Sequence, residues 1–392
     1  MIALRTALGM TQGELADRLH VVRQTISKWE KGLSVPDAAL LPRLAEALHT
    51  TVATLLGDRV VSDNSPAILP GSLSGRENPA GREENGSLLG AVDIGGTKIQ
   101  VGLLTETGRV LGEESFPTDV TGRSGRETVQ EIVKRLDALC TQAGVARESL
   151  LGIGIFCAGP LDTQRGTVEN PYTLPGWEGL PLAGLLAEAT GLPVKLDNDA
   201  NGALLGEVFT RGLGRKRVLM VTLGTGIGVA YWNGEDLYRS GRYHPEMGHV
   251  IAASRGPRCY CGKVGCFESL CSGSACNDRA KAAGYPGFGE MLAAARLSEP
   301  AAKEALNEML QDFQNGIWTL RVIFKPEVLI LAGGFGKAYF PLLQEAISGE
   351  NENQEDFTGF SQILPESDVP NAALLGVCML PWKKKKRKGN TQ

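Results

Sequence analysis

No apolar run in this 392-residue chain approaches the roughly 18 residues that a membrane-spanning helix needs. No signal peptide opens it either. Those two absences exclude a helical membrane protein and set the expectation of a cytoplasmic one. An excess of either charge is also missing. Forty Lys and Arg stand against 44 Asp and Glu, for a formal net charge of −4, so the totals carry no mark of a polyanionic partner. The GxxxxGK[ST] phosphate-loop spacing does not occur, and no internal repeat is evident. What the chain has in quantity is glycine, 50 residues gathered in short loops between apolar runs, which is how phosphate-binding turns look in composition. It also has eight cysteines, which in a cytoplasmic protein point to metal ligation or plain thiols rather than disulfides. With 42% hydrophobic and 21% charged residues it reads as an ordinary globular protein, long enough for two or three domains.

Three of the cysteines are concentrated in one stretch, HVIAASRGPRCYCGKVGCFE, from His249 to Glu268. Cys259, Cys261 and Cys266 fall within eight residues, and Gly262 and Gly265 between them let the backbone curl so that the sulfurs converge. Three thiolates and the His249 imidazole make a complete tetrahedral shell for a structural Zn²⁺. Free buried thiols are the plainer alternative, and Cys271 and Cys276 compete with His249 for the fourth position. Glu246 upstream and Glu268 downstream place carboxylates at the edges of this knot, an arrangement suited to gripping the hydroxyl groups of a sugar.

Residues 1–58 read as a small all-helical unit. Thr11 and Glu14 have capping-box spacing at the start of a helix, TQGELADRL. A tight turn through His20 and Val21 leads to a second helix, RQTISKWEKG, ended by Gly32. A third helix starts near Pro36 and a fourth runs TVATLLG. Two short helices joined by a tight turn, the second rich in polar side chains, form a helix-turn-helix pattern. Arg23, Gln24, Thr25, Ser27 and Lys28 would meet base edges or phosphates of double-stranded DNA, while Ile26 and Trp29 face the core. The unit is electrically neutral, six basic against six acidic residues, which leaves a helical bundle for protein contacts as the alternative. The stretch resembles the phage-repressor (Xre-like) helix-turn-helix family over nearly all of residues 1–58. It departs from the family at Val22, where a capping Ser, Thr or Asn is usual, and in its abrupt start at Met1, which places the expected start codon upstream. Residues 59–87, rich in Pro, Gly, Ser and Asn, read as a flexible linker.

From Leu88 apolar strands alternate with glycine turns. DIGGTK is a hairpin turn in which Gly95 and Gly96 let backbone N–H groups approach phosphate oxygens, with Thr97 and Lys98 as further donors and Asp93 placed to hold Mg²⁺ through water. The same device returns at Thr222–Gly228, where Gly224, Thr225, Gly226 and Gly228 lie between two apolar strands. A third turn, with Gly333 and Gly334, follows a strand and opens toward a helix, suiting an adenosine or ribose contact. In PVKLDNDANGALLGE, Asp197 and Asp199 are two apart, so one of them serves the site. Asp199 sits where strand gives way to helix, as a helix cap or as the general base that takes the proton of a sugar hydroxyl.

Taken together, DIGGTK, LGTGIG, NDA, EMGH and CYCGKVGCFE resemble the motifs of the ROK family (repressors, open reading frames, sugar kinases) over about 290 residues. The resemblance implies an α/β actin-like ATPase (sugar kinase) fold of two lobes preceded by the all-α helix-turn-helix domain. The kinase domain would span 88–382, with one lobe at 88–198 plus 371–382 and the other at 199–370. It implies ATP-dependent phosphorylation of a hexose, most simply glucose, with ATP, Mg²⁺ and structural Zn²⁺. Asp199 would be the catalytic base, and Asn198, Asp199, Glu246, His249 and Glu268 the sugar contacts. Zinc would sit on His249, Cys259, Cys261 and Cys266. The loop NPYTLPGW looks glucokinase-like, with Asn170 closing over the hexose, and a homodimer or higher homo-oligomer is expected. A repressor that senses sugar without catalysis is the alternative; retention of both DxGGTK and Asp199 favours catalysis. The closing KKKKRKGNTQ (383–392) reads as a disordered basic tail.

Overall fold

The chain divides into two compact units, residues 1–82 and 83–392. The computed structural model describes residues 87–348 and 361–382, and in the first unit residues 5, 10–19, 21, 23, 25, 26, 44 and 47. In that unit the helix Gln12–Leu19 begins with the expected capping box. The Glu14 N–H donates to Thr11 Oγ1 at 3.2 Å, and the Thr11 N–H donates to Glu14 Oε2 at 2.7 Å. Leu15, Ala16, Leu19, Ile26 and Leu44 form one buried cluster, so Ile26 does face a core while Arg23 is exposed. Gln24, Ser27, Lys28, Trp29, the third and fourth helices, linker residues 59–86 and the basic tail lie outside the described residues.

In the second unit, apolar runs on either side of the first glycine turn pair as an antiparallel hairpin, β1 (Leu88–Ile94) with β2 (Lys98–Thr105). β3 (Val110–Pro117) extends it antiparallel, and β4 (Leu150–Cys157) joins β1 in parallel. β4 is buried at every position, as its unbroken apolar run requires of an interior strand. A two-residue hairpin, β5 (Leu161–Asp162) and β6 (Thr167–Val168), precedes β7 (Val194–Asn198), which closes a sheet of order β3-β2-β1-β4-β7. The helix Gly125–Gln142 lays Val129, Ile132, Leu136 and Leu139 on one face of this sheet.

The second lobe repeats the device. β8 (Val218–Leu223) and β9 (Ile227–Trp232) form an antiparallel hairpin around the second glycine turn. β10 (Val328–Ala332) and β11 (Gln362–Pro365) add parallel strands in the order β11-β10-β8-β9. The third glycine turn lies between β10 and the short helix Gly333–Ala338, as its spacing predicts. Behind the sheet runs the 25-residue helix Pro300–Phe324, with proline in its first turn where no N–H is missed.

One helix, Asp199–Thr210, cements the lobes. Its Leu204, Leu205 and Val208 share a buried cluster with Leu89 and Ala91 of the first sheet, Val218, Met220 and Ile330 of the second, and Leu374, Leu375 and Val377 near the C-terminus. Close approach demands glycine here. A Cβ on Gly202 would stand 2.3 Å from the Phe156 ring, and one on Gly206 would stand 2.0 Å from the Ala372 carbonyl oxygen. Among the described residues no helix is long and apolar enough to cross a membrane.

Alanine at position 206 gains only about 0.5–1 kcal/mol of helix propensity, whereas overpacking against main chain costs about 1–3 kcal/mol. Gly206→Ala is therefore expected to lower the urea midpoint of the kinase unit. A midpoint at or above wild type would show that the turn leading into the helix at Ala372 yields freely.

Candidate active site

β7 ends in Asp197 and Asn198, and the next residue begins the cementing helix, so three polar side chains emerge where the lobes meet. Asp197 is spent structurally. Its Oδ2 accepts from Arg239 Nη2 at 2.7 Å, and its Oδ1 accepts from Asn201 Nδ2 at 2.7 Å. Asn198 caps the helix by accepting the Ala200 N–H at 2.9 Å. The cap expected as an alternative role for Asp199 thus falls mainly to Asn198, and Asp199 is left facing a cleft of about 590 Å³. That volume is ample for small-molecule ligands.

The wall of this cleft is acidic. Asp93, Asp199, Glu207, Glu246, Glu268 and Glu366 contribute to it, and among the described residues of the wall there is no Lys or Arg. Burial, and then the neighbouring Asp199 carboxylate, push Asp93 up to about 7. Burial also raises Asp199, against the Ala200 N–H that favours its charged form. Glu246 is raised by burial and by Glu268. Carboxylates held this way accept hydrogen bonds from hydroxyl groups, and they repel a polyphosphate unless a cation accompanies it.

The glycine turns form another part of the wall. Gly224, Thr225, Gly226 and Gly228 line the cleft from the turn between β8 and β9, and Gly95 lines it from the turn between β1 and β2. Thr222 Oγ1, on the same wall, is a buried hydroxyl with no hydrogen-bond partner. His244 Nδ1 is another, its ring held neutral by burial that lowers it to about 4. Neither residue stood out in the sequence. Thr222 was legible only as the first residue of its glycine turn, and His244 carried no motif. Tyr260, which also lines the cleft, was hidden inside the cysteine knot.

Other expected contacts sit elsewhere. Asn170 is fully buried and does not line the cleft. It donates to the Ala158 carbonyl oxygen and Thr173 Oγ1 and accepts the Tyr172 and Thr173 N–H groups, so it shapes its own loop instead of reaching for a sugar. Gly96, Thr97 and Lys98 lie exposed at the hairpin tip, off the wall. Gly333 and Gly334 are also off it. Gly333 adopts φ +80 and its N–H donates to Glu366 Oε2 at 3.0 Å, and it is Glu366 that reaches the cleft.

The knot closes as its glycines require. Gly262 and Gly265 adopt φ +88 and +79, and a Cβ on Gly265 would overlap the Ala253 carbonyl oxygen at 1.7 Å. One ligand atom each from His249, Cys259, Cys261 and Cys266 lies within 4.8 Å of the others. Cys261 and Cys266 sulfurs are 3.5 Å apart, and Cys259 Sγ is 3.5 Å from His249 Nδ1. Ligands about 2.0–2.3 Å from a common centre subtend edges of just this size, so the donor set fits tetrahedral zinc. Cys271 and Cys276 pack as buried thiols in neighbouring helices, outside the group. Of the two carboxylates at the knot's edges, Glu246 and Glu268 both line the cleft. Glu268 Oε2 also accepts the Ile227 N–H at 2.8 Å and so ties the knot to the second glycine turn. His249 does not reach the wall; its Nε2 lies 3.0 Å from the Tyr260 hydroxyl.

Two lobes hinged about a common helix, each offering a glycine hairpin to one acidic cleft, define the actin-like sugar-kinase class. The ROK family model matches residues 89–383, and a helix-turn-helix model matches residues 1–55. The chain belongs to the ROK family and carries an N-terminal helix-turn-helix region. It is 28% identical over 312 residues to the glucokinase of Thermotoga maritima, covering 74% of this chain and 95% of that protein. Its fold matches the crystal structure of the ROK hexokinase from Thermus thermophilus with a TM-score of 0.63 at 29% identity, over 74% and 97% of the two chains. The ROK glucokinase of Streptomyces griseus in complex with glucose and AMPPNP matches with a TM-score of 0.55 at 29% identity, over 75% and 98%.

The raised Asp93 carboxyl has a measurable consequence. Its folded value of about 7 exceeds the ordinary 3.8, so its contribution to stability is fully present below about pH 4 and is lost as pH rises through about 7. In protein free of divalent cations, Asp93→Asn is expected to raise the melting temperature more at pH 8 than at pH 5. An equal shift at both, or a fall at pH 8, would mean that Asp93 is well solvated.

Proposed function

We propose that this protein is an ATP-dependent hexose kinase, with glucose as its substrate, joined to a sequence-specific DNA-binding module. The observation that carries the kinase reading is Asp199, a buried carboxylate with a raised pKa. It stands in an acidic cleft that the second glycine turn also lines. A carboxylate with a raised pKa is a better proton acceptor than a free one. Glu246 and Glu268 accept hydrogen bonds from sugar hydroxyls, and Asn198 flanks them on the same wall. With the sugar so oriented, Asp199 takes the proton of the reacting hydroxyl as its oxygen bonds the terminal phosphorus of ATP and the bond to ADP breaks, ADP leaving. The N–H groups of Thr225 and Gly226 and the Thr222 hydroxyl receive the phosphate oxygens. A cleft without Lys or Arg fits a cation requirement. Asp93 would hold Mg²⁺ through water, and the cation would supply charge that offsets the triphosphate. Relatives whose names report glucokinase activity, and one bound to glucose and AMPPNP, support the same reading.

His249, Cys259, Cys261 and Cys266 hold structural zinc, which keeps Glu246 and Glu268 in place. The helix-turn-helix region binds double-stranded DNA through Arg23, Gln24, Thr25, Ser27 and Lys28. That region also favours a second reading, in which the sugar site serves as the sensor of a repressor and turns over little or nothing. An assay of ADP release across a panel of hexoses and N-acyl hexosamines separates the two. Turnover on glucose supports the first, and sugar-dependent DNA binding without ADP release supports the second.

Asp199→Asn should lower kcat by about 10² to 10⁴-fold while glucose affinity, followed by calorimetry, falls only modestly. Retention of more than about a tenth of the wild-type kcat would put the base elsewhere. Asp197, locked to Arg239, is a poor substitute. Metal analysis should find about one zinc per chain, and Cys261→Ser should lose both zinc and activity. Full activity in zinc-free protein would sink the link between the knot and the sugar site.

A further inference from the structure

Glu268 lines the cleft and His249 stands off its wall, and both already hydrogen-bond to other groups of the protein. The Tyr260 hydroxyl lies 3.0 Å from His249 Nε2, and the same phenol interacts with the Glu268 carboxylate. His249 has no other nitrogen to offer, because its Nδ1 turns toward Cys259. Glu268 keeps its remaining commitment to the Ile227 N–H of the second glycine turn. A hydroxyl thus bridges the imidazole and the carboxylate, and it belongs to the protein. It comes from a side chain that is 63% exposed and lines the cleft, so little packing holds it there. Its one aromatic neighbour across the cleft is Tyr172, from the loop organised by Asn170. The two rings are 5.3 Å apart and tilted by 49°, and Tyr172 is itself 65% exposed. One ring comes from the first lobe and the other from the knot of the second, so their contact spans the mouth of the cleft.

We infer that Tyr260 is a specificity-determining residue of the sugar pocket. Its phenol stands in for a sugar hydroxyl between His249 and Glu268 and must be displaced before a hexose can take that place. The inference rests on the hexose reading of the cleft. Occupation by the phenol lowers apparent affinity, because the competent pocket is only a fraction of the population. It also selects for ligands that return a hydroxyl to the same two partners, since a ligand without one leaves two polar groups unpaired. Swinging the phenol out parts the Tyr172–Tyr260 contact, so sugar entry and release of the cross-lobe clasp are one event.

Tyr260→Phe in the full-length protein tests this, because it keeps the ring and its contact and removes only the hydroxyl. Glucose binding by calorimetry is expected to tighten about three- to tenfold, the worth of one net hydrogen bond. Weaker binding would make the phenol a direct sugar contact, and unchanged binding would make it a bystander; either overturns the inference. Should the variant lose its melting transition, nitration of Tyr260 in the wild type, read by peptide mass, decides instead. Reactivity must rise when glucose saturates the protein, and no change or a fall overturns the inference. Wild type that binds glucose without ADP release would fail the kinase reading alone. Wild type that binds no hexose would fail both.

Discussion

A cleft walled by six carboxylates, with no Lys or Arg among its described residues, cannot receive a polyphosphate unaided. That electrostatic constraint governs the rest of the site. Burial makes it sharper, since the Asp199 carboxylate opposes the ionisation of Asp93 while both lose water. Desolvation outweighs the helix N-terminus and the Ala200 N–H that would otherwise keep Asp199 low. A site built this way is costly to the free protein and suited to its ligands. On the proposed kinase reading, sugar hydroxyls would satisfy the carboxylates and a cation would neutralise them.

Such a site works only if its groups are held from outside the cleft, and three devices do this. The helix Asp199–Thr210 shares one core with both sheets, so Asp199 is fixed relative to both glycine hairpins. A strap from the second lobe is anchored on the first by Arg239 to Asp197 at 2.7 Å and by Arg242 to Asp162 at 3.3 Å, and it carries His244 and Glu246 in at its end. The cysteine knot presents Glu268, which reaches Ile227 and makes knot and phosphate turn a single unit. Each anchor is a buried or half-buried charge with a specific partner, the arrangement in which loss of one side is expensive.

The sequence by itself determined the hairpins, the cap at Thr11, the buried strand β4 and the cysteine knot. Each of these depends on neighbours a few residues away. Alternation around Gly95 and Gly226 dictates antiparallel strands, and the spacing of Cys259, Cys261 and Cys266 with Gly262 and Gly265 dictates a curl. Which of Asp197 and Asp199 serves the cleft was not legible in this way. It depends on Arg239, 42 residues downstream, whose guanidinium claims Asp197. Only the tertiary structure decided that His249 and not Cys271 completes the metal group, that Asn170 turns inward, and that Glu366 instead of Gly333 reaches the cleft. It also decided that Thr222, His244 and Tyr260 belong to the wall. In every case the reason is the same. The direction of a side chain at a loop or strand end follows from partners brought close by chain folding, and local spacing does not encode them.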